Sequence, residues 1–302
     1  MRVFVTGASG FIGSAIVPEL LAAGHQVTGL ARSQESADAI AAAGAEVRRG
    51  ALDDLDSLRA GAAASDGVIH CAYIHDFTQI HRSGEVDVEA VEAMGAALAG
   101  SDRPLVITSG TAVLPAGSLG TERATPDPES MGTHRIPSET VALALAERGV
   151  RSSVVRLPPS VHGEGDHGFV PALIDVARAS GVAGYVGDGS NRWAAVHRLD
   201  AARLFRLAVE GAPAGSILHG VGDEGVPTRE IAELFGRHLD VPAVSIAPED
   251  AAEHFGWVGA FFARDVPASS ALTSDLLGWQ PTRPGLLADL EEGHYFAATA
   301  VA

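Results

Sequence analysis

The most informative stretch of the sequence is Thr6-Gly7-Ala8-Ser9-Gly10-Phe11-Ile12-Gly13. It follows the apolar run Val3-Phe4-Val5 and precedes an apolar, helix-forming segment, so its glycines lie in a strand-to-helix turn. Glycines in such a turn let the backbone approach a diphosphate at the helix N-terminus. The turn therefore predicts a dinucleotide site, with an ordinary strand-to-helix turn as the alternative. The predicted cofactor contacts are Thr6, Gly7, Ser9, Gly10, Phe11, Ile12 and Gly13.

The first half of the chain alternates short β-branched runs with alanine-rich segments, which is typical of a parallel sheet covered by helices. Strands are predicted at 3–6, 26–30, 45–49, 67–71, 104–108 and 152–157, and helices at 13–23, 34–43, 55–60, 86–98, 137–147, 200–210 and 228–239. Between 158 and 191, glycines, prolines and loops are expected to dominate. We predict an α/β fold, a Rossmann doubly wound parallel sheet with a small C-terminal substrate-facing lobe. Residues 1–160 would form the core, and 161–302 would complete it and form the lobe.

Composition excludes several classes of protein. The 302 residues are 46% hydrophobic and 20% charged, enough to bury a core. The formal net charge of −17 opposes binding to nucleic acid or to an anionic membrane. No apolar run reaches the ~18 residues of a membrane helix. The lone cysteine, Cys71, is expected to be a buried structural thiol in a reducing compartment. A cytoplasmic location is predicted, with no targeting segment.

The cofactor preference depends on the end of the second predicted strand. An acidic residue for the ribose 2′-hydroxyl of NAD is expected there, and the sequence has Arg32 and Ser33 instead. A guanidinium and a hydroxyl suit a 2′-phosphate. We therefore predict NADP(H) rather than NAD(H), the alternative being that Arg32 is a solvated surface charge.

Four segments carry a resemblance to a known family. They are the turn at 6–13, Ile69-His70-Cys71-Ala72, Val106-Ile107-Thr108-Ser109, and Arg156-Leu157-Pro158-Pro159-Ser160-Val161-His162-Gly163, which is similar to R-P-x-x-V-Y-G. On these residues the chain resembles the short-chain dehydrogenase/reductase superfamily, in its extended or atypical branch related to NAD-dependent epimerases and dehydratases. The resemblance implies a Rossmann fold and cofactor contacts at Leu52, Ala72, Leu157 and Pro158.

The resemblance also implies a Tyr-x-x-x-Lys pair with a nearby serine or threonine. If Glu139 matches the glutamate that often follows the pair, Met131 replaces the tyrosine and Arg135 the lysine, so Arg135 would hold the cofactor ribose. Methionine has no proton to give. For the hydroxyl that polarises the carbonyl, Ser109 and Thr111 both remain candidates.

Another residue must then supply the proton. Histidine is suited to this near neutral pH, and several histidines follow predicted strands, where the ligand crevice of this fold lies. The candidates, in order, are His134, Tyr73, His75, His162 and His167, each with a loop or packing role as its alternative.

The later part of the chain offers candidates for the substrate pocket. They are His162, His167, Arg192 and Trp193, with a plain core position as the alternative for Trp193. A metal is not expected, because the spacing of His162, Glu164, Asp166 and His167 matches no standard zinc motif. The aromatic segment at 255–262 is interpreted as a packing patch rather than a lid.

These observations predict an NADP(H)-dependent oxidoreductase that acts on a small carbonyl or alcohol. The alternatives are a non-enzymatic NADP(H) sensor and an NAD-dependent epimerase or dehydratase. A homodimer is possible by analogy, through the helices at 86–98 and 137–147 and the small residues Ala90, Ala93 and Ala97.

Overall fold

The computed structural model describes residues 1–76 and 78–297. The strands are β1 (Arg2–Thr6), β2 (Gln26–Ala31), β3 (Glu46–Arg49), β4 (Gly67–His70), β5 (Pro104–Gly110), β6 (Arg151–Leu157), β7 (Ser160–His162), β8 (Ala183–Val186), β9 (Arg192–His197), β10 (Ser216–His219), β11 (Asp223–Pro227) and β12 (Ala243–Ile246). The helices are α1 (Gly13–Ala22), α2 (Gln34–Ala42), α3 (Leu55–Ala63), α4 (Ile80–Leu98), α5 (Ile136–Ala144), α6 (Phe169–Ser180), α7 (Arg198–Gly211), α8 (Thr228–Leu239), α9 (Ala251–Phe255), α10 (Gly259–Phe262), α11 (Ala271–Leu277) and α12 (Leu286–Glu291).

The central sheet has seven strands in the order β10-β6-β5-β4-β1-β2-β3. Every neighbouring pair in it is parallel. The strand order reverses between β1 and β4, and the crevice beyond the carboxyl ends of such strands is where nucleotides bind in this architecture. The predicted Rossmann fold is confirmed.

Each face of the sheet is covered by helices because both faces of its strands are apolar. On one face, Ile16 and Leu20 of α1 and Phe205 of α7 pack on buried strand residues. On the other face, Leu58 of α3 and Met94 of α4 belong to a second buried cluster. The crevice at the strand ends is therefore supported by a core on both sides.

The chain beyond β6 builds a lobe and also returns to the sheet. A three-stranded sheet in the order β11-β9-β7 and the parallel pair β12-β8 form the lobe, together with α6 and α8. β10 then pairs with β6 at the edge of the main sheet. The lobe thus lies next to the carboxyl end of β6, through β7.

The prediction that loops dominate 158–191 is wrong. This segment contains β7, β8 and α6. Within α6, Val170, Leu173, Ile174 and Ala177 are buried at helical spacing, and this apolar stripe packs into the lobe. Pro171 lies in the first turn, where its missing N–H costs nothing.

The structure places two of the small residues of α4 inside the chain. α4 packs against α3 and α5, and Ala90 and Ala93 are buried, while Ala97 is half-buried. The homodimer stays a prediction. Among the described residues, no helix combines the length and the apolar character needed to cross a bilayer.

Candidate active site

The nucleotide turn has the geometry of a diphosphate cradle. Gly7 adopts a positive φ of 71°, and a Cβ on Gly13 would lie 2.0 Å from the Gly7 carbonyl oxygen. A Cβ on Gly7 would lie 2.7 Å from the backbone nitrogen of Ala72. α1 begins directly after the turn, without a side-chain cap and without an acidic residue in its first turn. The dipole of a helix N-terminus favours an anion, so the start of α1 suits a diphosphate, and the residues present fit a dinucleotide.

Two arginines lie near the loop that follows β2, Arg32 within that loop and Arg49 at the end of β3. Arg32 and Ser33 are exposed, and the Ser33 hydroxyl caps α2 by accepting from the backbone nitrogen of Ser36 at 3.1 Å. The Arg49 guanidinium donates to the Ser33 carbonyl at 2.6 Å, which sequence reasoning did not anticipate. Leu52 is half-buried against the core near this loop.

A cavity of about 230 Å³ opens at the carboxyl ends of β4, β5 and β6. The predicted residues that border it are Ile12, Tyr73, His75, Ser109, His134, Arg135, Leu157 and Pro158. Most of its remaining wall is apolar, formed by Ile74, Ile80, Val113, Met131, Val161, Phe169 and Phe261. Ile12 of the nucleotide turn and the predicted catalytic residues other than Thr111 therefore border one cavity.

Three hydroxyl groups near this cavity are buried without a hydrogen-bond partner among the described residues: those of Tyr73, Ser109 and Thr111. An unsatisfied buried hydroxyl is costly, so such groups indicate where a ligand atom belongs. Ser109 borders the cavity, whereas Thr111 is not among its lining residues. The geometry therefore favours Ser109 over Thr111 as the hydroxyl that meets a substrate.

Arg135 is the cation of the cavity. Its guanidinium lies 3.9 Å from the centre of the Tyr73 ring. Nη2 donates to the Thr108 carbonyl at 2.5 Å, and Nη1 lies 3.3 Å from a carboxylate oxygen of Asp87. Burial raises the pKa of Tyr73, and the Arg135 charge opposes that rise. In the sequence, Tyr73 was a candidate proton donor and Arg135 a candidate ribose contact. The structure brings the two side chains into contact.

A buried polar chain connects the nucleotide turn to Arg135. The Thr6 hydroxyl lies 2.7 Å from His70 Nδ1, and His70 Nε2 lies 3.0 Å from Asp87 Oδ1. Burial acts to raise the pKa of Asp87, but Arg135 and His70 hold it below its usual value. Asp87 is therefore a carboxylate that fixes Arg135, a role that sequence reasoning missed.

The histidines of the cavity are neutral at physiological pH. Burial lowers the pKa of His134 to about 4, and it also lowers the pKa of His75, where Arg135 adds to the effect. Both rings lie beside Tyr73. A neutral imidazole donates N–H hydrogen bonds but is not a cationic acid. His134 and His75 are thus placed to orient ligands rather than to carry a spare proton.

The other two predicted proton donors lie elsewhere. His162 is fully buried, with Nδ1 2.8 Å from Asp289 Oδ2, and it does not border the cavity. His167 is exposed and packs its ring edge against Phe11, with 5.7 Å between ring centres. His162 therefore belongs to the packing of the lobe, and His167 belongs to the surroundings of the nucleotide turn.

Arg192 and Trp193 do not line the cavity, contrary to expectation. Arg192 forms a two-pronged ion pair with Asp265, at 2.9 Å for each contact. Trp193 is fully buried, and its indole nitrogen donates to the Phe261 carbonyl at 3.3 Å. Phe169 packs against Trp193 and borders the cavity in its place.

The aromatic segment that was expected to pack does so in part. Phe255, Val258 and Phe262 are buried in the lobe, and Trp257 is exposed. Phe261 reaches the cavity wall. The segment is thus mainly a packing element with one side chain at the site.

In the histidine-rich loop after β7, where no metal is expected, two of the polar side chains contact the 289–295 segment. Asp166 accepts a hydrogen bond from the Tyr295 hydroxyl at 2.9 Å, while His162 faces Asp289. Asp289 also belongs to a group with Glu292 and His294 whose ligand-type atoms lie within 4.8 Å of one another, and none of the three borders the cavity.

Cys71 lies at the end of β4, beside the cavity rather than in it. The Thr108 hydroxyl donates to its sulfur at 3.2 Å. Burial raises the pKa of the Cys71 thiol to about 12, so the thiol stays protonated. The side chain is half-buried, and the structural role of this thiol stays a prediction.

Residues 3–218 match the model of the NAD dependent epimerase/dehydratase family. The chain belongs to this family. It is thereby an NAD(P)-binding enzyme of the extended short-chain dehydrogenase/reductase type, and the resemblance found in the sequence is confirmed.

Similar proteins cover nearly the whole chain. An uncharacterised protein of Schizosaccharomyces pombe is 50% identical over 98% of this chain and 100% of its own length. A 4-hydroxy-2-methyl-3-oxo-4-farnesyl-3,4-dihydroquinoline-1-oxide ketoreductase of Stigmatella aurantiaca is 28% identical over 85% of this chain and 80% of its own. The structure of the dTDP-glucose 4,6-dehydratase DesIV of Streptomyces venezuelae superposes with a TM-score of 0.78 at 21% identity, covering 98% of this chain and 97% of DesIV, and so shares the fold.

These 302 residues cannot contain the expected Tyr-x-x-x-Lys pair, because they include no lysine. Met131 borders the cavity where the family's tyrosine is expected, and Arg135 stands four positions later. Arg135 as the replacement for the lysine stays a prediction.

Proposed function

We propose that this protein is an NADP(H)-dependent reductase of a small carbonyl compound with an apolar substituent. One observation carries the proposal: the Tyr73 hydroxyl, the Ser109 hydroxyl and the Arg135 guanidinium converge on a cavity that Ile12 of the nucleotide turn also borders. A hydroxyl donor, a second hydroxyl and a cation are the groups that carbonyl reduction requires beside a nicotinamide.

A bound NADPH would supply the hydride for the carbonyl carbon, and the carbonyl oxygen would take up a proton to give the alcohol. Ser109 donates a hydrogen bond to the carbonyl oxygen and polarises it. Tyr73 delivers the proton to that oxygen. Arg135 then stabilises the tyrosinate through its position over the ring, until solvent returns a proton to Tyr73.

Tyr73 is preferred to His134 as the donor on electrostatic grounds. Because its pKa is about 4, the His134 imidazole is neutral at pH 7 and is not a cationic proton donor. The Tyr73 hydroxyl is buried and unpartnered among the described residues, and its ring is in contact with a cation. His134 and His75 then act as neutral neighbours that shape the pocket.

The substrate class follows from the walls and size of the cavity. A volume of about 230 Å³ suits a small molecule, and the surrounding Ile74, Met131 and Phe169 favour an apolar substituent on the carbonyl carbon. The ketoreductase of Stigmatella aurantiaca supports this direction, since its name describes an oxo substrate with a farnesyl group.

The preference for NADP(H) rests on the adenosine end of the site. Arg32 is exposed and forms no ion pair among the described residues, so its charge is available to a 2′-phosphate. Arg49 approaches the same loop through the Ser33 carbonyl. Two guanidinium groups at this position favour the phosphorylated cofactor.

Titration with NADPH and NADH tests the proposal first. The second measurement follows the loss of reduced-nicotinamide absorbance when ketones and aldehydes with apolar substituents of increasing size are added. We expect tighter binding of NADPH and substrate-dependent oxidation that is fastest for apolar carbonyl compounds. Tight binding without turnover of any member of the panel would overturn the reductase proposal, and equal affinity for the two cofactors would overturn the preference.

A further inference from the structure

Arg198 joins the C-terminal lobe to the nucleotide turn. It is the first residue of α7, directly after β9 of the lobe. Its guanidinium lies 4.9 Å from the centre of the Phe11 ring. Phe11 is part of the glycine turn, so a cation from the lobe reaches the segment that cradles a diphosphate.

The loop between β7 and α6 holds Arg198 in this position. Its Nη1 donates to the Glu164 carbonyl at 2.7 Å. A Cβ on Gly163 would lie 3.1 Å from Arg198 Cγ, and a Cβ on Gly165 would lie 3.4 Å from Nη1. The two glycines therefore leave room for the arginine, and the loop wraps closely around its side chain.

Most of the hydrogen-bonding capacity of Arg198 is unused. A guanidinium has several N–H donors, and in the described part of the chain only the donor to Glu164 is engaged. Arg198 also forms no ion pair within residues 1–76 and 78–297, whereas Arg135, Arg156 and Arg206, which are also buried or half-buried, each pair with a carboxylate. Its charge is therefore free to meet an anion beside Phe11.

The nucleotide turn itself lacks positive charge. Residues 6–13 include no charged side chain, and the first turn of α1 has none either. The whole chain carries a formal net charge of −17, which opposes the approach of a negatively charged diphosphate. A local cation would offset that repulsion where the phosphates bind.

We propose that Arg198 binds the diphosphate of the dinucleotide from the lobe side, opposite the N-terminus of α1. The guanidinium stacks on Phe11 and directs its free N–H groups at the phosphate oxygens, so that the diphosphate is held between the two lobes. This proposal rests on the dinucleotide-binding part of the proposed function and is independent of carbonyl reduction.

Calorimetry with the full chain and its Arg198→Gln and Arg198→Lys variants tests the proposal. The ligands are NADPH, NADH, ADP-ribose and adenosine 2′-monophosphate, of which the last lacks a diphosphate. We expect Arg198→Gln to weaken NADPH, NADH and ADP-ribose by about tenfold or more and to leave adenosine 2′-monophosphate unchanged. Arg198→Lys should recover part of the loss, and the salt dependence of NADPH binding should be shallower in Arg198→Gln.

Arg229→Gln is the matched control, because Arg229 also lies over a tyrosine ring, that of Tyr185, on the surface of the lobe. It should bind all four ligands as the wild type does. Phe11→Leu keeps the charge at position 198 and removes the ring. If Arg198→Gln misfolds, salt-dependent binding of ADP-ribose, which has no 2′-phosphate, by a well-folded Phe11→Leu variant supports the role of Arg198, and its loss overturns that role.

The outcomes separate this inference from the proposed reductase. Unchanged ADP-ribose affinity in Arg198→Gln, or an equal loss for adenosine 2′-monophosphate, overturns the role of Arg198. If the wild type binds dinucleotides and reduces no carbonyl compound, and Arg198→Gln loses the binding, only the reductase proposal is overturned. Wild-type protein that binds no dinucleotide overturns both.

Discussion

The Arg135 guanidinium lies 3.9 Å from the centre of the Tyr73 ring, at the carboxyl end of the central sheet. Tyr73 comes from the segment after β4, and Arg135 from the short 3₁₀ helix Thr133–Arg135 before α5. The family resemblance implies a tyrosine and a lysine four positions apart for the proton chemistry. Here a tyrosine and an arginine from two different segments are in contact, and we propose that they act as proton donor and cation.

If Tyr73 is the proton donor, Tyr73→Phe should lower kcat for carbonyl reduction by about 100-fold or more, because general acid catalysis contributes that much. The affinity for NADPH should not change, since only a hydroxyl is lost. Steady-state kinetics and a cofactor titration check both values. Tyr185→Phe removes one hydroxyl on the lobe surface and should leave kcat intact. Full turnover by Tyr73→Phe would transfer the role to His134 or His75.

Arg135→Gln should change the pH profile of the reverse reaction, alcohol oxidation. The Arg135 charge opposes the burial-driven rise of the Tyr73 pKa, so its removal raises that pKa further. Alcohol oxidation requires tyrosinate as the base. The rising limb of its pH–rate profile should therefore move to higher pH. Arg135→Lys should move the limb less. A loss of rate without movement of the limb would mean that Arg135 acts on binding alone.

The sequence predicted the sheet closely because buried parallel strands carry continuous β-branched runs between glycine-marked turns. The predicted ends of the first strands differ from those of the structure by one or two residues, as in β2 (Gln26–Ala31) and β5 (Pro104–Gly110). α6 was missed because the surrounding glycines outweighed its apolar stripe. That stripe was nevertheless present in the sequence.

The site was predicted only in part, because contacts between distant segments depend on packing. Tyr73 and Arg135 were both candidates, but no spacing rule relates them. Asp87 was missed although a signal existed: it lies on the same helical stripe as Ala90, Val91 and Met94, which are all buried. An acid in an apolar stripe needs a buried partner, and here the partners are Arg135 and His70.

Arg32→Ala should weaken NADPH binding by about tenfold and leave NADH binding unchanged, because the exposed guanidinium is proposed to contact only the 2′-phosphate. Calorimetric titration with both cofactors measures the selectivity. Arg59→Ala removes another exposed guanidinium, paired with Asp56 on α3, and should alter neither affinity. Unchanged NADPH binding in Arg32→Ala would make Arg49 the next candidate for the contact with the 2′-phosphate.

Stability should fall as the pH drops from about 6.5 towards 4. His219 is fully buried, its Nδ1 lies 2.9 Å from the Ser269 carbonyl oxygen, and burial lowers its pKa to about 4. The unfolded chain takes up a proton on this histidine near pH 6.5 and the folded chain does so only near 4, so acid favours unfolding between these values.

His219→Asn keeps an N–H donor for Ser269 and removes the titration. The urea midpoint of the wild type should therefore decline more steeply between pH 7 and pH 5 than that of the variant. Parallel declines in the two proteins would assign the acid sensitivity to other groups, with His134 as the next candidate because burial lowers its pKa to about 4 as well.

Gly13→Ala should abolish tight dinucleotide binding and lower the free energy of unfolding by about 1–3 kcal/mol. The added Cβ would lie 2.0 Å from the Gly7 carbonyl oxygen and 2.7 Å from the Gly7 carbonyl carbon, so the turn and the start of α1 must move apart. Gly211→Ala is the matched control. A Cβ there would meet no atom within 4 Å, and Gly211 ends α7, so stability should be unchanged or rise by up to about 1 kcal/mol. NADPH titration and urea unfolding of both variants measure the effect. Wild-type affinity in Gly13→Ala would show that the diphosphate does not depend on this turn, and the dinucleotide site would then have to be placed elsewhere in the crevice.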